Sequence, residues 1–262
     1  MSDLPSPSKE LGQHFLTDDN IVRVIGRLAE IRREDVVLEI GPGQGVLTAY
    51  LAEHAGVVHA VELDHRLEPH LRDRFSGADN VRLHFRDALR LDAAELEPAP
   101  TKLVANLPYN VATPIVVESL ERLPTVHFWC VMVQREVADR FFAEPRTKAY
   151  GAVSVLIQLA AVRTGTHPVS REVFRPRPNV DSALVAFRRR ETTPSIAWGE
   201  LKAVVEAAFA HRRKRLPNSL ELAGLADRRK AEEALAALGR PATTRAEELA
   251  PPEFVQLAAA LR

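Results

Sequence analysis

The amino-acid sequence predicts an α/β fold, with a doubly wound parallel sheet and a small helical domain at its C-terminal end. Apolar runs of strand length alternate with helical segments over the first half of the chain, as in successive βαβ units. Glycines directly follow the first of these runs, where a strand would turn sharply into a helix. From Trp198 onward the chain is rich in alanine and leucine and predicts several short helices.

The composition limits the class of protein. The chain has 262 residues, of which 46% are hydrophobic and 27% are charged. These values suit one large domain with a small appendage and exclude wholesale disorder. The single cysteine, Cys130, excludes a disulfide framework and a cysteine-based metal site. No apolar run approaches the length of a membrane span, and the N-terminal residues do not resemble a signal peptide, so we expect a cytoplasmic protein.

The elements follow in order along the first half. Residues 1–13 form a polar arm that contains two prolines. A helix is expected next, capped by Thr17, because apolar residues recur at helical spacing from Ile21 to Leu28. Val36–Ile40 is a short apolar run that ends in glycines, which predicts a buried strand. Further strands are predicted over residues 57–64, 81–88, 102–109 and 127–134, and helices over residues 47–55, 65–75 and 112–121.

The pattern changes after Gly151. Residues 153–162 predict a helix that runs into a strand, and periodicity leaves the boundary open. Alternating residues over 182–188 predict another strand, residues 191–195 a linker, and the remaining chain short helices. Breaks are expected near Pro217, Gly224, Gly239 and Pro251. We therefore predict two domains, residues 1–190 and 196–262.

A cofactor site is predicted where the first strand ends. Gly41, Gly43 and Gly45 give the pattern G-x-G-x-G, and glycines allow the backbone to approach a ligand closely. Glu62, about 20 residues further on, is placed to accept ribose hydroxyls. Pro42 removes an N–H that a pyrophosphate would use, and Asp87 is placed to accept the adenine amino group. These details favour S-adenosylmethionine over a nicotinamide dinucleotide. The alternative to both is that the glycines form an ordinary turn, the acidic residues are unrelated to it, and no cofactor binds.

The segment Asn106-Leu107-Pro108-Tyr109 is the most specific signal in the chain. An exocyclic amine on a purine is a poor nucleophile, because its lone pair is delocalised into the ring. The Asn106 amide oxygen and the Leu107 carbonyl can accept from that amine and localise the lone pair. Pro108 stiffens the loop, and Tyr109 offers a face on which an extruded base can stack. The segment therefore predicts methyl transfer to a purine amine, in which proximity and orientation supply most of the catalysis.

With these residues, the sequence resembles the rRNA adenine N6-dimethyltransferases, and within that family the bacterial small-subunit (16S) type. The resemblance covers nearly the whole chain. Beyond the two motifs above, it rests on residues 12–16 (GQHFL) and 133–138 (VQREVA). It also rests on four segments that methyltransferases in general do not share: residues 148–151 (KAYG), 173–182 (VFRPRPNVDS), 208–214 (AFAHRRK) and 218–220 (NSL).

The resemblance implies a class I S-adenosylmethionine-dependent methyltransferase, with a Rossmann-like, seven-stranded, mostly parallel sheet and a small helical C-terminal domain. It implies N6,N6-dimethylation of two adjacent adenosines near the 3′ end of 16S rRNA in small ribosomal subunits, with a role in subunit maturation. The roles it implies for single residues are the following: His14 and Leu16 close over the cofactor, Gly41 contacts its methionine end beside Gly43, Glu62 binds the ribose, Asp87 binds the adenine, Asn106 spans cofactor and target, and Tyr109 and Phe174 sandwich the target adenine.

The sequence departs from the family pattern in two places. Arg146-Thr147 stands where a Gly-Ser pair is expected, which bears on the flexibility of that loop. Pro217 interrupts the basic helix start before residues 218–220. Neither departure touches the proposed chemistry.

The charge distribution bears on RNA binding. A formal net charge of +0 argues against a nucleic-acid binder, since such proteins are usually basic. The total hides an asymmetry, however: residues 1–120 hold 12 Lys+Arg and 19 Asp+Glu, whereas residues 121–262 hold 23 and 16. In the basic half we expect phosphate contacts from Arg212, Arg213, Lys214 and Arg215, with Arg175 and Arg177 beside Phe174 guiding the RNA backbone. The run Arg188-Arg189-Arg190 is equally compatible with phosphate contacts and with the end of a strand that has no role in binding.

Three alternatives remain open on the sequence. One is the related large-subunit rRNA methyltransferase that confers antibiotic resistance, and another is a ribosome-assembly factor for which methylation is secondary. A nicotinamide oxidoreductase is the weakest. The nine histidines show no ligand spacing, so we predict no metal site. We expect a monomer with no membrane partner.

Overall fold

The computed structural model describes residues 5–8, 11–192 and 195–262. Parts of the predicted arm (1–13) and of the predicted linker (191–195) lie outside these ranges. By packing, the described chain divides into two units. The catalytic unit, as we name it here, comprises the residues up to Ala138 together with Arg163–Arg189, and the C-terminal unit comprises Asp139–Val162 together with the residues from Arg190 onward. The predicted domains, 1–190 and 196–262, are each continuous in sequence, whereas each of these units combines two separate segments. The domain boundaries stay a prediction.

The helices and strands have the following bounds. The strands are β1 (Phe15–Leu16), β2 (Val36–Ile40), β3 (Val57–Glu62), β4 (Val81–Phe85), β5 (Lys102–Asn106), β6 (Phe128–Gln134), β7 (Ala161–Val169), β8 (Phe174–Arg175) and β9 (Ser182–Arg189). The α-helices are α1 (Asp19–Leu28), α2 (Val46–His54), α3 (Glu68–Arg74), α4 (Ala112–Arg122), α5 (Arg135–Phe141), α6 (Ala152–Ala160), α7 (Trp198–Ala210), α8 (Leu216–Leu222), α9 (Arg228–Ala237) and α10 (Pro251–Ala260).

A seven-stranded sheet with the order β4-β3-β2-β5-β6-β9-β7 forms the centre of the catalytic unit. Strands β2 to β6 pair in parallel, and β9 pairs antiparallel with β6. This confirms the predicted class I fold. From β2 the chain runs outward through β3 to β4 and then returns to place β5 on the other side of β2. The strand order therefore reverses between β2 and β5, which is where ligands bind in doubly wound sheets.

The central strands are buried as their apolar sequences predict. Among their largest fully buried side chains are Trp129, Phe128 and Phe187, with Trp129 and Phe187 stacked at 5.3 Å between ring centroids. Cys130 is also fully buried, and burial raises the pKa of its thiol to about 12.

Several boundaries differ from the predictions. Helix α1 is capped by the Asp18 carboxylate rather than by Thr17, because the Asp18 side chain accepts from the first free amides, those of Asn20 and Ile21. The strand predicted over 102–109 ends at Asn106, since Leu107 to Tyr109 leave the sheet. Helix α5 was not predicted. The open boundary in residues 153–162 falls after Ala160, where α6 ends and β7 begins.

The C-terminal unit is helical, as predicted. Phe209 of α7 stacks on Phe254 of α10 with centroids 5.7 Å apart, and the buried Tyr150 hydroxyl donates to Leu249 O at 2.8 Å. Phe209 is buried and Trp198 is half-buried. Pro217 does not interrupt a helix but occupies the first turn of α8, where proline costs no hydrogen bond. None of the described helices is both long and apolar enough to cross a membrane.

Candidate active site

A pocket opens at the carboxyl ends of β2, β3 and β5, beside the point where the strand order reverses. Its empty volume, including the open mouth, is about 870 Å³. Three segments contribute most of its wall: the residues 11–16 before and within β1, the glycine loop 41–44 after β2, and the residues 106–111 after β5. All of them belong to the catalytic unit.

The glycine loop owes its path to backbone conformations that favour glycine. Gly41 and Gly43 have φ values of 74° and 58°, in the left-handed region that side chains rarely adopt. A Cβ at Gly43 would lie 2.8 Å from Phe15 Cδ1. Gly43 is therefore required both by its own φ and by the close approach of Phe15. Gly41 and Gly43 both line the pocket.

Glu62, at the end of β3, is held by the backbone around it. Its Oε2 accepts from Gly43 N at 3.0 Å, and its Oε1 accepts from Asp64 N at 2.9 Å. Burial raises the pKa of this carboxyl, while the backbone hydrogen bonds lower it. The carboxylate faces the pocket, and its remaining lone pairs suit the two hydroxyls of a ribose.

Glu39 also lines the pocket and was given no role from the sequence. It is buried in β2, and its Oε2 has no hydrogen-bond partner among the described residues. Burial raises the pKa of this carboxyl to about 8, with a further contribution from nearby Glu62. Burying a carboxyl oxygen without a hydrogen-bond partner lowers the stability of the fold. In the sequence, only the position of Glu39 just before the glycine motif could have indicated a role for it.

A strap, residues 11–17, closes one side of the pocket. Gln13 Nε2 donates to Asp64 Oδ2 at 2.9 Å, and Asp64 is held in turn by Arg66. The Arg66 and Gln13 hydrogen bonds lower the pKa of Asp64 to about 2. At its far end the strap forms β1, which pairs antiparallel with β8, Leu16 opposite Phe174. This two-stranded ribbon was not predicted, because two residues carry no periodicity.

Asn106 lies at the end of β5, and the strap fixes the orientation of its amide. Asn106 Nδ2 donates to His14 O at 3.1 Å, so the Oδ1 atom is left as an acceptor. Leu107 N donates to Met132 O at 3.1 Å, which anchors the next peptide to β6. Asn106, Leu107, Pro108 and Tyr109 all line the pocket. The structure thus brings together the predicted target segment and the predicted glycine loop.

Two predicted site residues do not line this pocket. Asp87 follows β4 and is partly exposed; its carboxylate accepts from Leu89 N at 2.9 Å and lies 3.7 Å from Arg90. Phe174 is fully buried in the apolar core with Leu16 and Val22. In this structure the Phe174 ring therefore has no open face, and only Tyr109 of the predicted aromatic pair lines the pocket.

The predicted RNA-binding residues fall into two groups. Arg175 and Arg177 are exposed but bond within their own loop, to Glu172 O and Glu172 Oε1 respectively. Arg212 donates to Tyr150 O at 2.8 Å and lies 3.6 Å from Glu247, so it links segments of the C-terminal unit. Arg213, Lys214 and Arg215 are exposed, and among the described residues their side chains form no hydrogen bond or ion pair. In the run 188–190, Arg189 donates to three backbone carbonyls near the end of α4. Its guanidinium is therefore used within the fold.

A family model described as "Ribosomal RNA adenine dimethylase" matches residues 6–254. The chain belongs to this family. A dimethylase relative, "Ribosomal RNA small subunit methyltransferase A" of Rubrobacter xylanophilus, is 51% identical over 97% of this chain and 94% of its own length. As a member of this family, the chain is a methyltransferase that acts on rRNA. Its methyl donor is S-adenosylmethionine.

Solved structures agree with the dimethylase fold. A dimethyladenosine transferase from Plasmodium falciparum superposes with a TM-score of 0.77 at 23% identity, covering 93% of this chain and 96% of that one. The 23S rRNA methyltransferase ErmE superposes with a TM-score of 0.67 at 30% identity, covering 94% and 99%. Both superpositions show that this chain shares the fold of these methyltransferases, which confirms the predicted class I fold.

The pocket of the dimethylase fits S-adenosylmethionine on three observations. The left-handed glycines leave room for close backbone approach, the Glu62 carboxylate faces the pocket, and Leu63 presents an apolar side chain that is 50% exposed at the pocket wall. An exposed leucine beside a carboxylate with free lone pairs suits the apolar face of a purine. Leu63 was not predicted, because a single apolar residue after a strand carries no signal. Among the described residues no group of three or more His, Cys, Asp or Glu is placed to hold a metal ion.

Proposed function

We propose that this chain dimethylates N6 of two adjacent adenosines near the 3′ end of 16S rRNA, acting on small ribosomal subunits during their maturation. The names of the curated relatives support the small subunit: relatives called small subunit methyltransferase A are 39–51% identical to this chain. The 23S enzyme ErmE is 30% identical. We further propose that the enzyme works as a cytoplasmic monomer without a resident metal; among the described residues, no group of three or more His, Cys, Asp or Glu is placed to hold one.

The orientation of Asn106 carries the proposal. Because Nδ2 is engaged by His14 O, Oδ1 is available to accept from the target amine. The Leu107 carbonyl, to which no backbone N–H of the described residues donates, supplies a second acceptor. Two acceptors localise the nitrogen lone pair, and the amine releases a proton after it attacks, so no strong base is needed. Bound S-adenosylmethionine supplies an electrophilic methyl group on a positively charged sulfur.

Other residues of the chain hold the two reactants. We propose that Glu62 binds the ribose, Gly41 and Gly43 the methionine end, Asp87 the adenine amino group, and His14 and Leu16 the outer side of the cofactor. Tyr109 offers its face to the target base. In the proposal Phe174 completes that base site only after a movement that uncovers its ring. Arg213, Lys214 and Arg215 contact phosphates, with Arg175, Arg177 and Arg212 secondary because each is already bonded to the protein.

The deciding experiment is transfer of labelled methyl groups from S-adenosylmethionine to purified small and large subunits that lack dimethyladenosine. We expect label in the small subunit only. Asn106→Ala should lower kcat by about 100-fold, by analogy with the loss of one oriented polar group from an active site. Asn20→Ala, at an exposed position of α1, is the matched control and should retain full activity.

The other outcomes each point elsewhere. Label confined to the large subunit contradicts the proposed substrate. Subunit maturation that proceeds normally with Asn106→Ala would make assembly, rather than methylation, the main duty. Binding of NAD without binding of S-adenosylmethionine would remove the proposed reaction.

A further inference from the structure

The Tyr109 ring is held at two points, its hydroxyl and one face. Its hydroxyl lies 2.6 Å from Ser182 Oγ. Its ring stacks on His14, with the centroids 5.4 Å apart and 30° between the planes. Tyr109 lines the pocket, so these contacts determine how the ring is presented to anything that enters there.

Ser182 is a rigid anchor for the tyrosine hydroxyl. It is fully buried at the first position of β9, where it pairs with Gln134 at the end of β6. Tyr109 follows β5, the next strand beyond β6. The hydrogen bond therefore ties a loop to the sheet across an intervening strand. Burial raises the pKa of Tyr109, so its phenol keeps the proton that this bond shares.

His14 limits the ring from one side. Its Nδ1 lies 2.7 Å from Pro176 O, which fixes the imidazole, and its backbone oxygen accepts from Asn106 Nδ2. The same residue thus touches both Tyr109 and the amide that receives the target amine. A base that stacks on Tyr109 has one face of the ring available, because His14 covers the other.

We propose that Ser182 is a positioning residue for the target base, which fixes the plane of Tyr109 against His14 so that a single adenine stacks in register with Asn106. The inference rests on the proposed function. Methyl transfer requires the amine to lie in line with the donor carbon, and small errors in orientation are costly. A tyrosine free to rotate would still bind the base but would hold it in a spread of orientations.

The test compares Ser182→Ala, Tyr109→Phe and the double variant on small subunits that lack dimethyladenosine. Each single variant removes the same hydrogen bond from one side, and the stacking ring is kept in all three. We expect kcat to fall about tenfold in each, with KM within about twofold of wild type. The double variant should be no slower than either single one, since both lose the same interaction.

Ser119→Ala is the matched control. Ser119 is also a buried serine of the catalytic unit, and its hydroxyl bonds to Val116 O and to Trp129 Nε1, away from the pocket. This variant should lower the melting temperature and leave kcat unchanged. A Ser182→Ala variant that lowers the melting temperature alone, with kcat intact, overturns the inference and leaves the proposed function standing.

Two further outcomes also decide. If the losses of the single variants multiply in the double variant, Ser182 does not act through the tyrosine hydroxyl and the inference is wrong. If Ser182→Ala does not fold, Tyr109→Phe decides alone, and an unchanged kcat overturns the inference. A wild-type protein that transfers no methyl group removes the proposed function and the inference together.

Discussion

Asn106 and Glu39 lie on neighbouring strands and line the same pocket, yet the sequence predicts only the first of them as a functional residue. Asn106 stands in a segment whose four residue types together imply one chemistry. Glu39 is a carboxylate in an apolar strand, and its significance depends on burial and on an unpaired oxygen. Ser182 was missed for a similar reason, because its partner Tyr109 is 73 positions away in the chain. Residue pairs brought together only by sheet pairing leave no local pattern.

Glu39 should make the stability of the cofactor-free protein depend on pH. The pKa of its carboxyl is raised by burial from 4.5 to about 8. The folded state therefore keeps the proton over a range in which the unfolded chain loses it, so stability falls as pH rises from about 4.5 toward 8. Glu39→Gln should remove most of this decline and be the more stable protein at pH 8.5, by roughly 2 kcal/mol or more.

Urea denaturation of the cofactor-free protein at several pH values measures this effect. Near pH 5 the two proteins should differ little, because Glu39 is then protonated in the folded state. Glu53→Gln, at an exposed position, should keep the wild-type dependence on pH. Parallel stability curves for wild type and Glu39→Gln would show that the carboxyl does not hold its proton in the fold.

The elements that carry the fold were predictable and the elements that close the pocket were not. Strands β2 to β6 and their helices follow from apolar runs and helical spacing, with errors of a few residues at their ends. Strands β1 and β8 have two residues each, too few for any periodicity. Their pairing depends on the strap meeting a segment about 160 positions away, which only the assembled sheet makes possible.

The strap is the element that Gly43→Ala should disturb. A methyl group there would lie 2.8 Å from the Phe15 ring, on a backbone with φ of 58°, and the backbone strain alone costs about 1 kcal/mol. We expect Phe15 to be displaced and S-adenosylmethionine to bind about tenfold more weakly or worse. Isothermal titration measures the affinity. Gly77→Ala, where nothing lies within 4 Å of the added atom, is the control and should bind S-adenosylmethionine as the wild type does. If Gly43→Ala also binds with wild-type affinity, the strap moves aside without any loss of binding free energy, and the prediction is wrong.

On the scale of the whole molecule, the zero net charge conceals an acidic first half and a basic second half. The pocket proposed for the cofactor is lined by residues of the catalytic unit, whereas the unpaired cations Arg213, Lys214 and Arg215 belong to the C-terminal unit. Sequence arithmetic predicted this asymmetry. It did not separate Arg212, whose guanidinium is used inside its own unit, from its three neighbours, because adjacent residues of one charge look alike in a sequence.

The three unpaired cations should act through phosphates. Replacing Arg213, Lys214 and Arg215 with alanine should weaken binding to small subunits and reduce the slope of log K against log salt by about 2, since each phosphate contact contributes roughly 0.7 to 0.9. The control replaces Arg228, Arg229 and Lys230 of α9, which removes the same charge from the same unit. Filter binding at several salt concentrations gives both slopes. Equal slopes in the two triple variants would show that net charge, and not this cluster, attracts the RNA.

The antiparallel strand β9 also sets the order in which the enzyme is completed during its synthesis. The glycine loop, Glu62 and Asn106 have all been translated by residue 106, but β9 enters the sheet between β6 and β7 only with Ser182–Arg189. Between these lies Asp139–Val162, which belongs to the other unit. A nascent chain that stops before Ser182 would contain every group proposed to hold the methyl donor and the target amine. It would still lack the strand that lies between β6 and β7 and the hydroxyl that holds Tyr109.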